Sequence, residues 1–389
     1  MKKEIKGFVV GVITTTLVST AVFAAPAAKS ITAFYNGIKI YVDGDKITPK
    51  DGNGKIVEPF IYDGTTYLPV RAVSEALGKQ VSWDGNSNSV YIGQRLEEVV
   101  VETAEDFVKA IGSNKKIVLK PGVYNLSNIS QDIDLQDGVT WEDVPDGKEL
   151  NINNVSNLII EGSSEGKTEI ITEPRYAQIL DFEQVSNITL RNITAGHTPA
   201  EYTCDAGVLN FLNSENINIS GCELYGCGSV GLSMDGVEHL DMINTYINHC
   251  SLRAIEVFDS KDVNFKQSRI SDHEAYSNII FVSYSKDVSF EDCEMSNNNN
   301  FGWSFIDIVG ESNVVINKCK VYNNSQAKNT DEKNPRTNFF SMTAFEVNSV
   351  GRVLVKDTEF KNNVCDYLTD YNEAVTFENC TFSGNVWNE

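Results

Sequence analysis

The residues with the most chemistry in this chain recur at one phase. His249, Arg253, His273 and Glu274, with Asp205 and Tyr276, each stand just before a segment of alternating apolar residues. His197 precedes Asp205 in the same kind of place, so three of the four histidines share it. Histidine beside arginine and glutamate suits general acid–base work, such as proton abstraction next to a carboxylate in a lyase or epimerase. Asp235, Glu256 and Asp307 form a second set, and two carboxylates across one surface suit glycoside hydrolysis instead. Phe258, Phe281 and Phe305 accompany them. Rings that stack on sugar faces, edged by carboxylates that hold hydroxyls or a Ca2+ ion, are what a polysaccharide-binding face requires. The catalytic candidates are therefore His249, Arg253, His273, Glu274 and Glu256. The substrate-binding candidates are Phe258, Phe281, Phe305, Asp235, Asp307 and Tyr276. No cofactor is indicated beyond calcium.

A repeat positions all of them. An apolar–any–apolar pattern, followed by a small residue and another apolar one, returns nine times, starting at Leu158, Ile188, Ile217, Leu240, Val263, Val288, Val314, Val353 and Val375. The middle spacings of 23 to 26 residues are those of a solenoid. Period-two alternation within each repeat makes it mostly strand. A second apolar pair sits eight and six residues before the anchor: Leu209/Phe211, Leu232/Met234, Ile255/Val257, Ile280/Val282, Ile306/Ile308 and Phe345/Val347. Stacked parallel coils would bury both sets as continuous columns. The positions between them face out. Seven residues before the anchor these read Asp181, Asn210, Ser233, Glu256, Phe281, Asp307 and Glu346. Five before, they read Glu183, Leu212, Asp235, Phe258, Ser283, Val309 and Asn348. This phase puts Phe258 and Phe281 on the surface of adjacent coils, with Phe305 extending the patch. The polar insertion Ser325–Thr337, in the longest repeat, is placed to fold over this face.

Other ladders are structural. Five residues past the anchors stand Cys222, Thr245, Ser268, Cys293, Cys319, Thr358 and Cys380, a column of small inward side chains. Ten past them stand Asn298, Asn324, Asn363 and Asn385, which can satisfy turn backbone coil after coil. Cys204, Cys227, Cys250 and His273 are each 23 apart. Their types suit zinc, but stacking sets them in a line and zinc wants a tetrahedron, so no metal is assigned. Neighbouring cysteines could pair as disulfides in an exported protein, and inward small positions also suit free thiols.

Composition narrows the partners. A formal charge of −22 argues against nucleic acid, whose phosphates need Lys and Arg. Lys2, Lys3 and Lys6 precede an apolar run, Phe8 to Phe23, and Val22-Phe23-Ala24 fits cleavage before Ala25. Residues 1–24 thus read as a signal peptide. The mature chain would have no transmembrane segment and a charge of −24, and would be secreted or held at the cell surface. A monomer is expected.

Residues 31–93 differ in character. Ile38–Val42, Pro59–Arg71, a helix-like Ala72–Leu77 stopped by Gly78, then Val81–Asp84 and Ser89–Ile92 follow one another. The run Tyr67–Arg71 with Trp83-Asp84 resembles the copper amine oxidase N-terminal-like, or stalk, domain. That resemblance implies a small α+β module that spaces or attaches a larger domain. The segment has no His or Cys and so lacks the usual ligands of copper.

Residues 97–389 open with Thr103 and Asp106 as a capping pair for an amphipathic helix, Ala104–Ile111. Phe107, Val108 and Ile111 are placed to cover the open end of the column. Lys116–Tyr124 then reads as strand, turn, strand. This entry resembles that of pectin-lyase-like right-handed parallel β-helices. The fold class expected is mostly β: a right-handed parallel β-helix of about nine coils after a small α+β domain. The resemblance supplies no active site. The Gly-His-Gly, Asp-Asp and Arg-Ile-Lys motifs of polygalacturonases and the Trp-Ile-Asp-His run of pectate lyases are missing, and Asp272-His273 matches only two residues of the latter. Two functions follow. One is a protein that binds and processes polysaccharide or cell-wall glycan, with lyase, epimerase and hydrolase chemistry all open. The other is a non-catalytic adhesin or cell-envelope rod, about 40 Å long at 4.8 Å per coil.

Overall fold

A computed structural model describes residues 30–388 apart from 86, 94, 131, 201, 227, 327–336, 344–350 and 371–372. The signal-peptide reading lies outside the described residues. So do Cys227, Phe345, Glu346, Val347, Asn348 and nearly all of the polar insertion. The chain divides into two compact units, residues 1–94 and 95–389.

Among its described residues the first unit carries three two-stranded antiparallel hairpins and one helix, Val70–Ala76. Gly78, at φ +72°, ends the helix as a residue without Cβ does most readily.

The second unit is a parallel β-solenoid. Each coil lays down three main strands, as in Leu209–Leu212, Glu215–Ser220 and Glu223–Tyr225, and three coils add a two-residue strand at the bend, Glu274–Ala275, Asn299–Asn300 and Ser325–Gln326. Like strands stack into three sheets, here the first, second and third in the order the chain visits them. The second sheet carries the anchors. Leu158, Ile188, Ile217, Leu240, Val263, Val288, Val314, Val353 and Val375 pair in register one after another. These nine anchors bound eight full turns, one fewer than nine whole coils. The first sheet holds the upstream pairs in register from Leu209/Phe211 to Ile306/Ile308. There the expected series departs. Phe340 and Met342, not Phe345 and Val347, pair with Ile306 and Ile308. The insertion breaks the constant offset on which the sequence phase relied.

Short polar residues turn the corner between second and third strands. Asn192, Gly221, Asn244, Gln267, Asp292, Lys318, Asp357 and Asn379 follow one another there at positive φ, a region that Gly, Asn and Asp reach most easily and that Gln267 and Lys318 enter against their preference. The small column then points inward. The Thr245 hydroxyl accepts from the Cys222 N–H at 3.3 Å, and Ser268 from Thr245 N–H at 3.2 Å. Burial pushes the Cys222 thiol up to about 11, so it fills space as an inert apolar group. Cys204 is disulfide-bonded, whereas Cys222, Cys250, Cys293, Cys319, Cys365 and Cys380 are free.

Inside, Phe182 stacks on Phe211 with centroids 4.8 Å apart and Phe265 on Phe290 at 4.6 Å. Such pairs add about 0.5–1.5 kcal/mol each beyond the area they bury. Helix Ala104–Ala110 closes the N-terminal end. Thr103 Oγ1 accepts from the Asp106 N–H at 3.1 Å, and Phe107, Val108 and Ile111 are wholly buried.

Candidate functional site

The candidates fall on two adjoining surfaces: the outward face of the first sheet, and the bend that leads from the third sheet into the next coil's first strand.

On the sheet face the expected column is present. Asp181, Asn210, Ser233, Glu256, Phe281 and Asp307 stand side by side in register, and Ser341 continues it where Glu346 was expected. Asp235 and Phe258 pair in the neighbouring column. Arg253 organises this face. Its guanidinium ion-pairs with Glu256, donates from Nε to Asn278 at 3.3 Å and from Nη2 to Ser277 at 3.2 Å, and lies 4.7 Å from the Phe281 ring centroid. Phe258 and Phe281 touch at 5.3 Å but are half-buried, so they form a floor and not a projecting patch. Burial pushes the Asp307 carboxyl up to about 6, reinforced by Asp370, against the opposing pull of Arg253, Ser341 and Asn278. Asp235 is exposed.

Phe305 corrects the sequence reading. It is wholly buried and stacks on Phe339 at 4.7 Å. Residues 304–306 are all buried, because the chain enters this strand from the corner before strict alternation begins. Extrapolating period two backwards through a corner gave the wrong face.

At the bend, a cleft of about 360 Å³ is lined by Tyr202, His249, Asp272, His273, Glu274 and Asn299, among others. His249 is exposed, held at φ +54°, with Nδ1 2.6 Å from Asn248 Oδ1. Donation from Nδ1 leaves Nε2 as an acceptor. Burial works to raise the Asp272 carboxyl, but hydrogen bonds from Tyr246 at 2.6 Å and Ser271 at 2.9 Å, with Arg269 at 3.0 Å, hold it below the usual carboxylate range. Asp272 is therefore a fixed negative wall. Glu274 accepts from the Tyr202 hydroxyl at 2.7 Å.

His273 forms the cleft's floor without being free to react. Its Nδ1 accepts from the Cys250 N–H at 3.1 Å, so Nε2 donates to the Ile247 carbonyl at 3.1 Å. Burial pushes it down to about 4, so it is neutral. Its own N–H donates to Asn298 Oδ1 at 3.2 Å. The ladder then runs on, Asn298 to Asn324 at 2.8 Å, Asn324 to Asn363 at 2.8 Å, Asn363 to Asn385 at 3.0 Å. Cys250, His273 and the asparagines, treated as separate series in the sequence, are one column.

A run of exposed aromatics lies at this bend. Tyr202 lies 5.3 Å from Tyr276, and Tyr276 lies 6.0 Å from Phe301. They are 37%, 62% and 43% exposed. Tyr276 was expected at the site, whereas Tyr202, Phe301 and the exposed Trp303 were not. A signal was present: Tyr276 and Phe301 each stand thirteen residues past an anchor, Val263 and Val288. Among the described residues no three His, Cys, Asp or Glu side chains converge as an ion site.

Several known proteins resemble this chain. A comparison with curated proteins finds no match. Among solved structures, an alginate lyase from Paenibacillus sp. str. FPU-7 shares 12% identity over 75% of this chain and 98% of its own, with a TM-score of 0.47. The pectate lyase Pel9A shares 12% identity over 75% and 80%, with a TM-score of 0.46. A pectin methylesterase from carrot shares 12% over 75% and 88%, with a TM-score of 0.41. Residues 19–92 and 41–128 match the family model described as copper amine oxidase N-terminal domain. Residues 145–278 and 206–382 match that described as right handed beta helix region. That match spans more than half of the chain and agrees with the in-register parallel coils, so the chain belongs to the right-handed β-helix family.

Proposed function

We propose that this is a secreted or cell-surface protein that binds polysaccharide along the bend cleft. The observation that carries the reading is the run Tyr202–Tyr276–Phe301, three exposed rings each touching the next, leading from the Tyr202 wall of a polar cleft. Contiguous exposed aromatics are uncommon on a monomer's surface, and Tyr presents an apolar ring with a polar tip. Sugars match both features. Asp272, Glu274 and Asn299 supply acceptors and donors for hydroxyls. Calcium, proposed as an adjunct to carboxylate-bearing glycans, enters the test as a variable. Affinity electrophoresis of the full chain through acidic and neutral polysaccharides, with and without calcium, should show retardation that Tyr276→Ala reduces at least tenfold without changing the melting temperature. No retardation by any polymer overturns this reading and favours the non-catalytic rod.

One observation favours hydrolysis as an added activity. Glu256 and Asp307 are two rungs apart with Phe281 between them, about 9.6 Å between Cα atoms at the usual strand spacing. Inverting glycosidases hold their two carboxyls about 6.5–9.5 Å apart to seat a water, a separation within reach of side chains rooted this far apart. Glu256, salt-bridged to Arg253, would serve as the base and Asp307, raised to about 6, as the acid. New reducing ends that disappear in Glu256→Gln would support it. Unsaturated ends that disappear in His249→Ala would move the chemistry to a lyase at the bend.

A further inference from the structure

A second cleft, of about 340 Å³, lies on the same bend nearer the N-terminal end, with Trp141, Asp146, Gly147, Pro174, Arg175 and Pro199 in its lining. We infer that it is a subsite for the same polymer, in which Arg175 receives a carboxylate of a uronic-acid residue. The inference rests on the polysaccharide reading of the first cleft and adds a second contact to it.

The cleft is built, not incidental. Its floor is the turn of the hairpin formed by Val139–Val144 and Gly147–Asn153. A Cβ on Gly147 would stand 2.5 Å from Pro174 Cγ, so only glycine lets the hairpin close on that proline. Asp146 is fully used in orienting Arg175. It accepts from the Arg175 N–H at 2.9 Å, from Arg175 Nε at 3.1 Å and from the Tyr176 N–H at 3.3 Å. The terminal guanidinium nitrogens make no hydrogen bond or ion pair among the described residues, the guanidinium carbon lies 5.9 Å from the Tyr176 ring centroid, and the side chain is half exposed. A guanidinium held by one edge presents the other as a fork that matches a carboxylate. Trp141 Nε1 is buried with no hydrogen-bond partner among the described residues, a donor that lacks an acceptor there. Proline rings and an indole beside such donors give the mixed apolar and polar surface that a sugar ring fits.

Position ties the two clefts together. The third-sheet register runs Thr172 to His197, Gly196 to Tyr225 and Tyr225 to Asn248, so the rung of Thr172 is three rungs from that of His249. At the usual spacing this is about 14 Å along the axis. The loop between His197 and Ala206 joins them: Pro199 lines one cleft and Tyr202 the other. It is held by the bonded Cys204 and by Asp205 and Ala206 N–H groups on the Arg175 carbonyl, at 2.9 and 3.1 Å. A linear polymer lying along the axis meets both clefts, and the second contact is then made at high effective concentration.

The test is calorimetric titration of the full chain with uronic-acid oligosaccharides of increasing length, beside a neutral series. Affinity for the acidic series should jump at least tenfold at the length that first spans both clefts. Arg175→Gln, and separately Trp141→Phe, which keeps a ring but removes the N–H, should flatten the jump and leave the shortest oligomers unchanged. A smooth length dependence, or a jump that survives both substitutions, overturns the second subsite while the first cleft stands. Absence of binding at every length overturns the parent reading, and this inference with it.

Discussion

The Tyr202 hydroxyl donates to Glu274 at 2.7 Å across 72 positions of sequence, which the solenoid reduces to three rungs. The loop that follows His197 is thereby laid down over the bend, and Tyr202 becomes one wall of the cleft against Tyr276. Removing the hydroxyl alone should loosen that wall without disturbing the coils beneath. Tyr202→Phe is expected to weaken polymer binding about fivefold, the scale of one hydrogen bond at the protein surface. The melting temperature should stay within a degree or two. An affinity equal to that of the wild type would show that the wall stands without Glu274.

His273 separates a structural from a catalytic reading. Both ring nitrogens are committed to backbone, and the next members of its column are asparagines. Asparagine at 273 could continue the column, accepting and donating as Asn298 does. His273→Asn should therefore cost no more than about 1–2 kcal/mol and leave any activity intact, whereas His273→Ala should cost about 2–4 kcal/mol by stranding buried donors and acceptors. Denaturant melts with an activity assay on the same samples check both. Loss of activity in a stable His273→Asn protein would return the residue to the catalytic set.

The ladders explain how much of the molecule was legible in advance. A side chain that repeats its environment every coil repeats its type, so the anchors, the small column from Cys222 and the asparagines from Asn298 were readable from spacing alone. Phase fails where the repeat is interrupted. Phe340 and Met342 took the place expected for Phe345 and Val347 because the longest repeat does not keep a constant offset. Phe305 was misassigned because alternation does not extend back through a corner. The cleft wall was hidden for a different reason: Tyr202 reaches Glu274 from a loop whose length and path carry no periodic signal.

Phe305 and Tyr276 make a paired test of that misassignment. Phe305 is enclosed and stacked on Phe339, so Phe305→Ala should cost about 3–5 kcal/mol through lost burial and the cavity left behind. Polymer affinity of the folded fraction should be unchanged. Tyr276→Ala removes a ring that is 62% exposed and should do the reverse, with little loss of stability and a large loss of binding. Thermal melts and affinity electrophoresis on the two variants would reverse this assignment only if Phe305→Ala lost binding while keeping its melting temperature.

Asp307 predicts a pH dependence with a definite sign. Its folded carboxyl is raised to about 6 by burial and by Asp370, from an ordinary value near 3.8. The folded state therefore holds a proton that the unfolded chain gives up first. Well below the unfolded value both states are protonated and the group contributes nothing. Between pH 4 and 6 the unfolded state is favoured increasingly, and above pH 6 the penalty is constant. A shift of this size is worth on the order of 2 kcal/mol after allowing for partial exposure. Asp307→Asn, which stays neutral, should leave stability near pH 4 little changed and raise it at pH 7, where Arg253 still has Glu256 as its counter-charge. Paired urea melts at the two pH values measure the difference directly. If Asp307→Asn instead loses stability at pH 7, the ionised carboxylate is a net partner of Arg253, and the proton-holding role assigned to Asp307 in hydrolysis falls with it.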